Sequence, residues 1–432
     1  MQKYEFFRKL DIFSYFCSMK QTLLMLLALL LALPVQTQPR YDAALRDDVK
    51  SVQLYVEGSE LDFPVLTLGT NRRLVLEFDI LGTQPEALTW RLLHCDRHWQ
   101  PDGLEPYEFL NGFAEGTLDN YDFSFTTLTD YVHYSTTLPA AYTEFIHSGN
   151  YLVEVTTDNG TLLLRRRFCV SEQAVKVEAT VTRPYDGIDI DRRQEVDVTV
   201  ESTDWKIDLN EQWLSVWVQQ NGRLDNLREL TFSGFDGNAL AYRQRQPNIF
   251  HAGNNFRYFD CSNLRTPMYN IVRIEEYGGE TFAILRPEED RSAKHYIAAT
   301  TLNGGMKVNI WDRNNPRLEA NYVWVNFSLP MAQPLLDGTV HIVGALTDWR
   351  VDSLSQMDYN PQYRAYTKRL LLKQGYYAYQ LLVHSPARRG ASATARLEGD
   401  HREAPNRYTV YVYQHSPADR ADRLIAVRRV AF

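Results

Sequence analysis

Residues 323–329 have the sequence V-W-V-N-F-S-L, in which the apolar residues Val, Val, Phe and Leu occupy every second position. The same period of two recurs in residues 175–181, V-K-V-E-A-T-V, and in residues 196–200, V-D-V-T-V. Successive side chains of a β-strand point to opposite faces, so this pattern predicts half-buried strands of antiparallel sheets. No long segment after the N-terminal region repeats apolar residues at helical spacing, and only short helical turns near residues 106–110 and 142–146 are expected. The sequence therefore predicts an all-β protein.

The predicted strands fall into three units. The first covers residues 41–171, the second residues 172–330 and the third residues 335–432. A polar joint, S-E-Q, separates the first two units, and the stiff linker P-M-A-Q-P separates the last two. The number of strands and the spacing of turns are typical of immunoglobulin-like folds, so we expect tandem β-sandwich domains. The first domain carries a long insertion at residues 101–143, and long ordered connections are usually functional.

Residues 1–38 are predicted to be a secretory signal peptide, with the true start of the protein at Met19. Met19 and Lys20 form a short positive region, residues 23–33 are an unbroken apolar run, and small residues follow at cleavage spacing. The apolar run is too short to span a bilayer. Alternatively, the aromatic residues before Met19 extend an N-terminal anchor. We expect an exported, soluble chain without a membrane span.

The net charge of the chain is -8 at pH 7. The predicted signal peptide contains four basic and two acidic residues, so its removal changes the net charge to -10. Proteins that bind nucleic acid without sequence preference use many contacts between basic side chains and phosphates. An acidic chain does not supply these contacts, and we expect no nucleic-acid partner.

Three cysteines follow the signal peptide: Cys95, Cys169 and Cys261. Cys95 and Cys169 both end apolar strand-like segments of the first unit, which leaves open a disulfide across the sandwich or two buried thiols. His94 precedes Cys95, but neighbouring residues of a strand face opposite sides, so a thiol–imidazole nucleophile is disfavoured. No motif for another catalytic or cofactor-binding site is present. We expect no enzymatic activity and no cofactor.

The sequence Y-D-G-I-D-I-D brings Asp186, Asp189 and Asp191 close together. Carboxylate oxygens at this spacing are compatible with calcium, but the glycine and glutamate of a calcium-binding loop are missing. The other interpretation is that the three carboxylates keep an exposed loop or strand soluble. We expect no metal site.

Four segments of the first unit are specific through their order and spacing. They are T-W-R-L-L-H-C-D-R-H-W at residues 89–99, Y-E-F-L-N-G-F at 107–113, Y-V-H-Y at 131–134 and S-G-N-Y-L-V-E-V at 148–155. In this order they resemble the plug-protein family of the type IX secretion system of Bacteroidota. The segment H-A-G-N-N-F-R-Y-F-D at residues 251–260 resembles the same family. The resemblance covers most of the chain from residue 49 to residue 329.

This resemblance implies a non-enzymatic protein that plugs the periplasmic opening of the outer-membrane translocon barrel when no substrate is in transit. The implied partner is that barrel, and the implied location is the periplasm, at the inner face of the outer membrane. The insertion at residues 101–143 is rich in aromatic residues, which suit protein interfaces. Its candidate partner-binding residues are Tyr107, Phe109, Phe113, Tyr131 and Tyr134, and packing in the core explains each of them equally well.

Residues 251–260 also have a purely structural interpretation. Gly253 and Asn254 are typical of a tight turn that leads into a strand. We expect Arg257 and Asp260 on that strand to form local hydrogen bonds, so that the segment marks a fold and carries no chemistry.

Two segments of the third unit, V-G-A-L-T-D-W at residues 343–349 and L-L-L-K-Q-G-Y-Y-A-Y at residues 370–379, resemble early-set sandwiches related to glycogen-binding modules. The resemblance implies the same sandwich fold. It also implies an alternative function, a periplasmic carbohydrate-binding or glycan-processing accessory protein, in which Trp349 stacks on sugar rings. The second tryptophan of these modules is missing, and Tyr363 and Tyr366 lie near its position.

Overall fold

The fold consists of β-strands with a few short helices, which confirms the predicted all-β class. The predicted signal peptide lies outside the residues described by the computed structural model, and so does Asp186. The described residues are 42–185, 187, 189–202, 209–299, 302–385 and 394–432.

The first sandwich takes all its strands from residues 43–171. One sheet contains, in spatial order, β1 (Ala43–Ala44), β12 (Leu162–Ser171), β11 (Gly149–Thr157), β5 (Leu88–Cys95) and β7 (Glu115–Thr117), with β3 (Val65–Thr67) parallel to β12. The facing sheet contains β2 (Val49–Val56), β4 (Leu74–Leu81), β9 (Tyr131–Leu138) and β8 (Tyr121–Phe123). The strands β6 (Leu110–Asn111) and β10 (Glu144–Phe145) form a separate two-stranded ribbon. Fully buried residues such as Phe78 and Val153 fill the space between the two sheets.

The second sandwich is built from two separate parts of the chain. One sheet contains β13 (Val175–Thr182), β14 (Arg193–Ser202), β18 (Ala239–Tyr242) and β17 (Gly234–Asp236), and β19 (Ile249–His251) also pairs with β14. The other contains β16 (Arg228–Glu229), β15 (Leu214–Gln220), β29 (Arg407–Gln414) and β30 (Arg423–Ala431). Val198 of β14, Val216 of β15 and Val410 of β29 meet in its core.

The third sandwich is inserted between β19 and β29 of the second. Its strands are, in spatial order, β20 (Arg257–Asp260), β28 (Gly375–His384), β25 (Thr339–Val343), β26 (Gln356–Asn360), β27 (Ala365–Lys373), β24 (Tyr322–Pro330), β22 (Glu280–Leu285) and β21 (Ile271–Tyr277), with β23 (Met306–Val308) beside β28. β26 pairs with β25 through its first residues and with β27 through its last ones. Strands on both sides of β26 contribute residues to one hydrophobic core.

The predicted boundary at residues 330–335 does not coincide with a division between sheets. The segment 322–329, predicted to close the second unit, is β24 of the third sandwich, and the C-terminal strands β29 and β30 complete the second one. Periodicity along one strand reports which side chains are buried, but it carries no information about the strand with which it pairs. The two prolines at 330 and 334 therefore mark a turn inside a domain.

Helices are short in the described part of the chain. The α-helices are α1 (Pro106–Phe109), α2 (Pro316–Glu319) and α3 (Ala395–Glu398), and 3-10 turns cover Ile190–Arg192, Gln246–Asn248 and Ala345–Thr347. The helical turn predicted near residues 106–110 is confirmed as α1, whereas the one predicted near 142–146 is wrong, since β10 lies there. No helix among the described residues is both long and apolar enough to cross a bilayer.

Buried contacts join the three sandwiches into one compact unit. An apolar cluster between the first and second sandwiches contains Trp99 and Leu152 on one side and Tyr411 and Leu424 on the other. The guanidinium of Arg167 lies 4.8 Å from the centroid of the Trp99 ring in the same place. Between the first and third sandwiches the contact is polar and charged.

Candidate partner-binding surface

The segment 101–147 contains the edge strands of both sheets of the first sandwich, together with the inner strand β9. Its strand β7 is the last strand of one sheet, paired with β5, and its strand β8 is the last strand of the other, paired with β9. Only residues 118–120 separate β7 from β8, so the chain crosses from one sheet to the other at this edge. Edge strands present unpaired backbone groups and are the common places for contact with another protein.

The start of the segment is held by His94 at the end of β5. Its Nδ1 atom lies 2.5 Å from Oδ2 of Asp102, and its Nε2 atom lies 3.2 Å from the carbonyl oxygen of Ser148. Burial alone would raise the pKa of Asp102, but the hydrogen bond and the charge of His94 hold it below its ordinary value. Both ring nitrogens of His94 are therefore occupied by structural partners, and the histidine anchors a loop.

The three cysteines are buried thiols and form no disulfide. Sγ of Cys169 lies 3.3 Å from Oδ1 of Asn150, and burial raises the pKa of both Cys95 and Cys169 well above the ordinary value for a thiol. A protonated, enclosed thiol is a poor nucleophile. The sequence leaves open a disulfide or two buried thiols for Cys95 and Cys169, and the structure shows two buried thiols.

Helix α1 is fixed at both ends. The side chains of Glu105 and Glu108 form a capping box, and Pro106 occupies the first helical turn. Phe109 then turns into the core, with its ring centroid 6.0 Å from that of His94 and 5.8 Å from that of Tyr151. This arrangement leaves Tyr107 on the outside of the helix.

The structure separates the five candidate residues into two groups. Tyr107 and Phe113 have 74% and 70% of their surface exposed. Phe109, Tyr131 and Tyr134 are buried and therefore cannot contact a partner directly.

The two buried tyrosines lie on opposite faces of β9. Tyr134 stacks on Phe78 in the core of the first sandwich, whereas Tyr131 faces the third sandwich and donates a hydrogen bond of 3.0 Å to the carbonyl of Ala320. Sequence reasoning did not separate them from the exposed candidates, because nothing in residues 131–134 indicates that a second domain covers the outer face of β9.

Two exposed residues that the sequence reasoning missed belong to the same region. Tyr142 is 97% exposed and Ile146 is 51% exposed, and they flank β10 of the ribbon. The β6–β10 pairing brings them close to Phe113, whose backbone N–H donates a hydrogen bond of 3.1 Å to Oγ1 of Thr143. We call the exposed side chains of Tyr107, Phe113, Tyr142 and Ile146 the ribbon patch.

Gly112 makes the ribbon possible. Its φ of +132° is rarely adopted by other residues, and a Cβ atom there would lie 2.4 Å from Oγ1 of Thr143. The close approach of the two chains at this point therefore requires glycine. The resulting turn presents Phe113 to solvent.

Residues 251–260 form long-range contacts as well as local ones. Gly253 has a φ of +65°, as expected for the predicted turn, and Oδ1 of Asp260 accepts a local hydrogen bond of 2.9 Å from the backbone of Ser262. The prediction for Arg257 is wrong, because its Nε donates to Oε1 of Glu398 at 2.9 Å, across 141 residues of sequence. Glu398 is buried beside β28, so Arg257 ties the start of the third sandwich to its end.

Trp349 packs inside the third sandwich, at a turn that contacts the first sandwich. Its ring contacts the ring of Phe256 edge to face, with centroids 6.0 Å apart. It also covers Gly304, where an added Cβ atom would lie only 2.3 Å from the Trp349 ring. The preceding residue, Asp348, accepts a hydrogen bond of 2.7 Å from Arg166 of the first sandwich. Trp349 therefore offers no open aromatic platform to a sugar ring.

The acidic loop around Asp189 and Asp191 shows no calcium ligand set in its described part. Asp191 pairs with Arg183 at 3.2 Å, and Asp186 lies outside the described residues. Nowhere in the described ranges do three or more histidine, cysteine or carboxylate side chains group as metal ligands. The surface that remains as a candidate site is the edge formed by residues 101–147.

Comparison with known proteins finds a family that the first domain matches. Residues 49–172 match the family described as the type 9 secretion system plug protein 1st domain. That description names a secretion-system plug and no catalytic activity. No curated protein matches the chain.

One solved structure resembles the chain over nearly its whole length. It is the crystal structure of a hypothetical protein from Parabacteroides merdae, which is 29% identical, has a TM-score of 0.86, and covers 91% of this chain and 99% of its own. A DNA-bound alkylpurine DNA glycosylase from Pseudomonas fluorescens is 15% identical over 28% of this chain and 30% of its own. Its TM-score of 0.16 is too low to support any conclusion.

Proposed function

We propose that this protein closes the periplasmic opening of the outer-membrane translocon barrel of the type 9 secretion system, because residues 49–172 match the first-domain family of plug proteins of that system. The family match of the first domain is the observation that carries the proposal. In this function the protein performs no chemistry. It occupies the opening while no substrate is in transit and leaves it when transport begins.

The way in which the sandwiches are joined supports a role as a cap. A wide pore must not let small molecules leak when no substrate is in transit. The protein that closes it therefore has to be rigid. Buried contacts connect the first sandwich to both others, through the apolar cluster around Trp99 and Tyr411 and through the pair of Asp79 and Lys373. Closely packed interiors transmit force with little deformation. The described part of the chain is thus suited to act as one body.

The proposed contact surface is the ribbon patch. A cap must also come off, so its interface needs to be of the transient kind, with modest area, a polar rim and a few aromatic anchors. Tyr107 and Phe113 are exposed anchors of this kind, and Tyr142 and Ile146 extend them. A protein that closes this opening has to reside in the periplasm, against the inner face of the outer membrane, and this is the location that we propose.

Deletion of the gene tests the proposal. We expect the uptake of a large glycopeptide antibiotic to rise in the deletion strain while the amount of assembled barrel stays the same, and a plasmid copy of the gene to restore the barrier. A tagged copy is expected to co-purify with the barrel. Secretion of type 9 cargo is measured in parallel to separate loss of the cap from loss of transport. Unchanged uptake together with absence of the barrel from the purified material would overturn the proposal.

The alternative of a carbohydrate-binding protein receives no support from a particular observation. Its expected platform residue, Trp349, is packed against Phe256 and Gly304. Of the two tyrosines near the missing second tryptophan, Tyr366 is buried and Tyr363 is exposed. A single exposed ring is weak grounds for a sugar site.

A further inference from the structure

The segment 101–147 has a net charge of -8, which equals that of the full sequence and is most of the -10 expected after removal of the signal peptide. It contains eight aspartate and glutamate residues and neither lysine nor arginine. The chain has 54 acidic and 46 basic residues in total, so the remaining residues hold 46 of each kind and are balanced. The excess of acidic residues in the full sequence is therefore concentrated in this segment of the first sandwich.

Most of these carboxylates are exposed and form no ion pair among the described residues. Two of the eight have partners, since Asp102 bonds to His94 and Glu108 to Arg420, and a third, Glu115, lies opposite Arg91 on β5. The other five are exposed and have no basic partner in the described part of the chain. They are Glu105, Asp119, Asp122, Asp130 and Glu144.

The same segment is also rich in exposed apolar side chains. Eight of the 21 large apolar residues that are exposed among the described residues lie in these 47 positions. Besides the ribbon patch they include Tyr121 and Phe123 of the edge strand β8. Solitary exposed apolar residues are normal, but contiguous ones mark an interaction site. The β6–β10 ribbon brings Phe113 close to Tyr142 and Ile146 in this way.

We propose that this acidic, aromatic edge binds a basic protein surface, rich in lysine and arginine, that offers apolar pockets to Phe113, Tyr107 and Tyr142. The proposal rests on the proposed function and specifies the chemistry of the translocon surface that the cap recognises. Charge complementarity decides the choice of occupant. Exposed carboxylates without partners repel nucleic acid and anionic lipid headgroups, whereas they attract lysine and arginine and speed association with a basic partner.

Two properties of binding follow from this chemistry. The carboxylates act at long range and are screened by salt, so they set the association rate and the salt dependence. The aromatic rings act only at contact, so they set the dissociation rate. The two contributions can therefore be removed separately.

The first experiment measures binding of a fluorescein-labelled peptide that alternates lysine and serine and contains two tryptophans, with the matching glutamate peptide as a control. Binding to the full chain is followed by fluorescence anisotropy at low and at physiological salt. We expect the lysine peptide to bind, the glutamate peptide not to bind, and added salt to weaken the complex. Failure of the lysine peptide to bind at low salt would overturn the inference.

Matched charge variants locate the binding, because any acidic protein attracts a basic peptide to some degree. The edge variant carries E105Q, D119N, D122N and E144Q. The control variant carries D158N, E211Q, D290N and E276Q, which neutralise the same number of exposed carboxylates elsewhere. We expect the edge variant to lose about tenfold in affinity and the control variant less than about twofold, since four exposed charges each contribute a small amount. Equal losses in the two variants would contradict an edge site.

Matched aromatic variants complete the design. Phe113→Ser at the edge is compared with Phe235→Ser on the second sandwich, because their exposed fractions are 70% and 67%. Tyr107→Ser is compared with Tyr363→Ser, both of which replace a side chain that is 74% exposed. We expect only the edge variants to speed dissociation, while circular dichroism shows that all four remain folded. Equal dissociation rates in all four would contradict the assignment of anchors.

Co-purification with the barrel distinguishes failure of this inference from failure of the proposed function. If wild-type protein retains the barrel and the edge variants lose it, both proposals stand. If the edge variants retain the barrel as well as wild type does, the inference fails and the proposed function is unaffected. If wild-type protein does not retain the barrel, the proposed function fails, and binding of the lysine peptide still decides whether the edge recognises basic surfaces.

Discussion

Oδ2 of Asp79 lies 2.6 Å from Nζ of Lys373, although 294 residues separate them in the sequence. Asp79 is on β4 of the first sandwich and Lys373 ends β27 of the third, and both side chains are buried. The hydroxyl of Tyr322 donates to the same carboxylate oxygen at 2.6 Å, and His133 bonds to the other oxygen at 2.7 Å. This carboxylate is therefore the centre of the polar contact between two domains.

Replacement of Lys373 by methionine is expected to lower the free energy of unfolding by about 3–5 kcal/mol, because it leaves the charge of Asp79 buried without its main partner. Denaturant unfolding followed by fluorescence measures the change. Lys176→Met is the matched control, since Lys176 is half exposed and its partners Glu178 and Glu201 are exposed as well. We expect the control to change the free energy by less than about 1 kcal/mol. A loss of similar size in both variants would show that the buried pair has no special role.

The stability of the protein is expected to fall below about pH 4 through Asp79. Burial would raise the pKa of Asp79, but Lys373 and His133 hold it below its ordinary value of 3.8. A carboxylate whose pKa is lowered by folding stabilises the folded state above its unfolded pKa and loses that contribution as the pH falls through its folded pKa. We expect the difference in unfolding free energy between wild type and Asp79→Asn to be largest near pH 7 and to shrink below pH 4. A difference that does not depend on pH would contradict this role.

A second pH effect is expected from His341 in the third sandwich. Burial, together with the nearby His384, lowers the pKa of His341 from 6.5 to about 4. The folded ring is neutral and bonds to the hydroxyls of Thr339 at 2.8 Å and Ser355 at 2.9 Å. Between pH 6.5 and 4, His341 is protonated in the unfolded chain but stays neutral in the folded chain. The free energy of unfolding therefore decreases as the pH falls through this window.

His341→Gln removes the titrating group and keeps the capacity for hydrogen bonds. We expect the variant to show a flatter decline of unfolding free energy between pH 6.5 and 4 than wild type does. Thermal unfolding at several pH values in this window is the measurement. Parallel declines in the two proteins would show that His341 is not responsible.

The contact between Arg257 and Glu398 is expected to hold the two ends of the third sandwich together. Burial would raise the pKa of Glu398, but Arg257 and Arg291 hold it below its ordinary value. Arg257→Met is expected to cost about 3–5 kcal/mol of unfolding free energy, because one of two positive partners of a buried carboxylate is removed. Arg273→Met, at an exposed position on β21, is the control and is expected to cost less than about 1 kcal/mol. Comparable costs would mean that the long-range pair contributes little.

Trp349→Ala tests the packing role of the residue against the sugar-binding one. The substitution removes the ring that covers Gly304 and Phe256, so we expect unfolding free energy to fall by roughly 3 kcal/mol, at the low end for a tryptophan because the ring is only partly buried. On a glycan array we expect neither wild type nor the variant to be retained. Retention of wild type alone would support the carbohydrate-binding alternative, provided that the variant is still folded.

The edge surface could be predicted only in part from the sequence. Composition alone shows that residues 101–147 are acidic and aromatic, and the resemblance of residues 107–113 and 131–134 to a known family directs attention to the same segment. The sequence did not show which of these side chains are exposed. Tyr107 and Tyr131 are the same residue type in the same segment, yet one is 74% exposed and the other is buried by a second domain.

The sequence by itself determined the all-β class and the strongly alternating strands, since the alternation of apolar and polar residues in segments such as 196–200 and 323–329 is a local property of each strand. It also determined the acidic character of residues 101–147, and the order of its short segments indicated the family that residues 49–172 match. The tertiary structure alone decided which strands pair. The last strand, β30, completes a sandwich that begins at residue 175, and Lys373 meets Asp79. These contacts depend on the free energy gained when distant surfaces are buried together, and no local pattern reports the identity of the other surface.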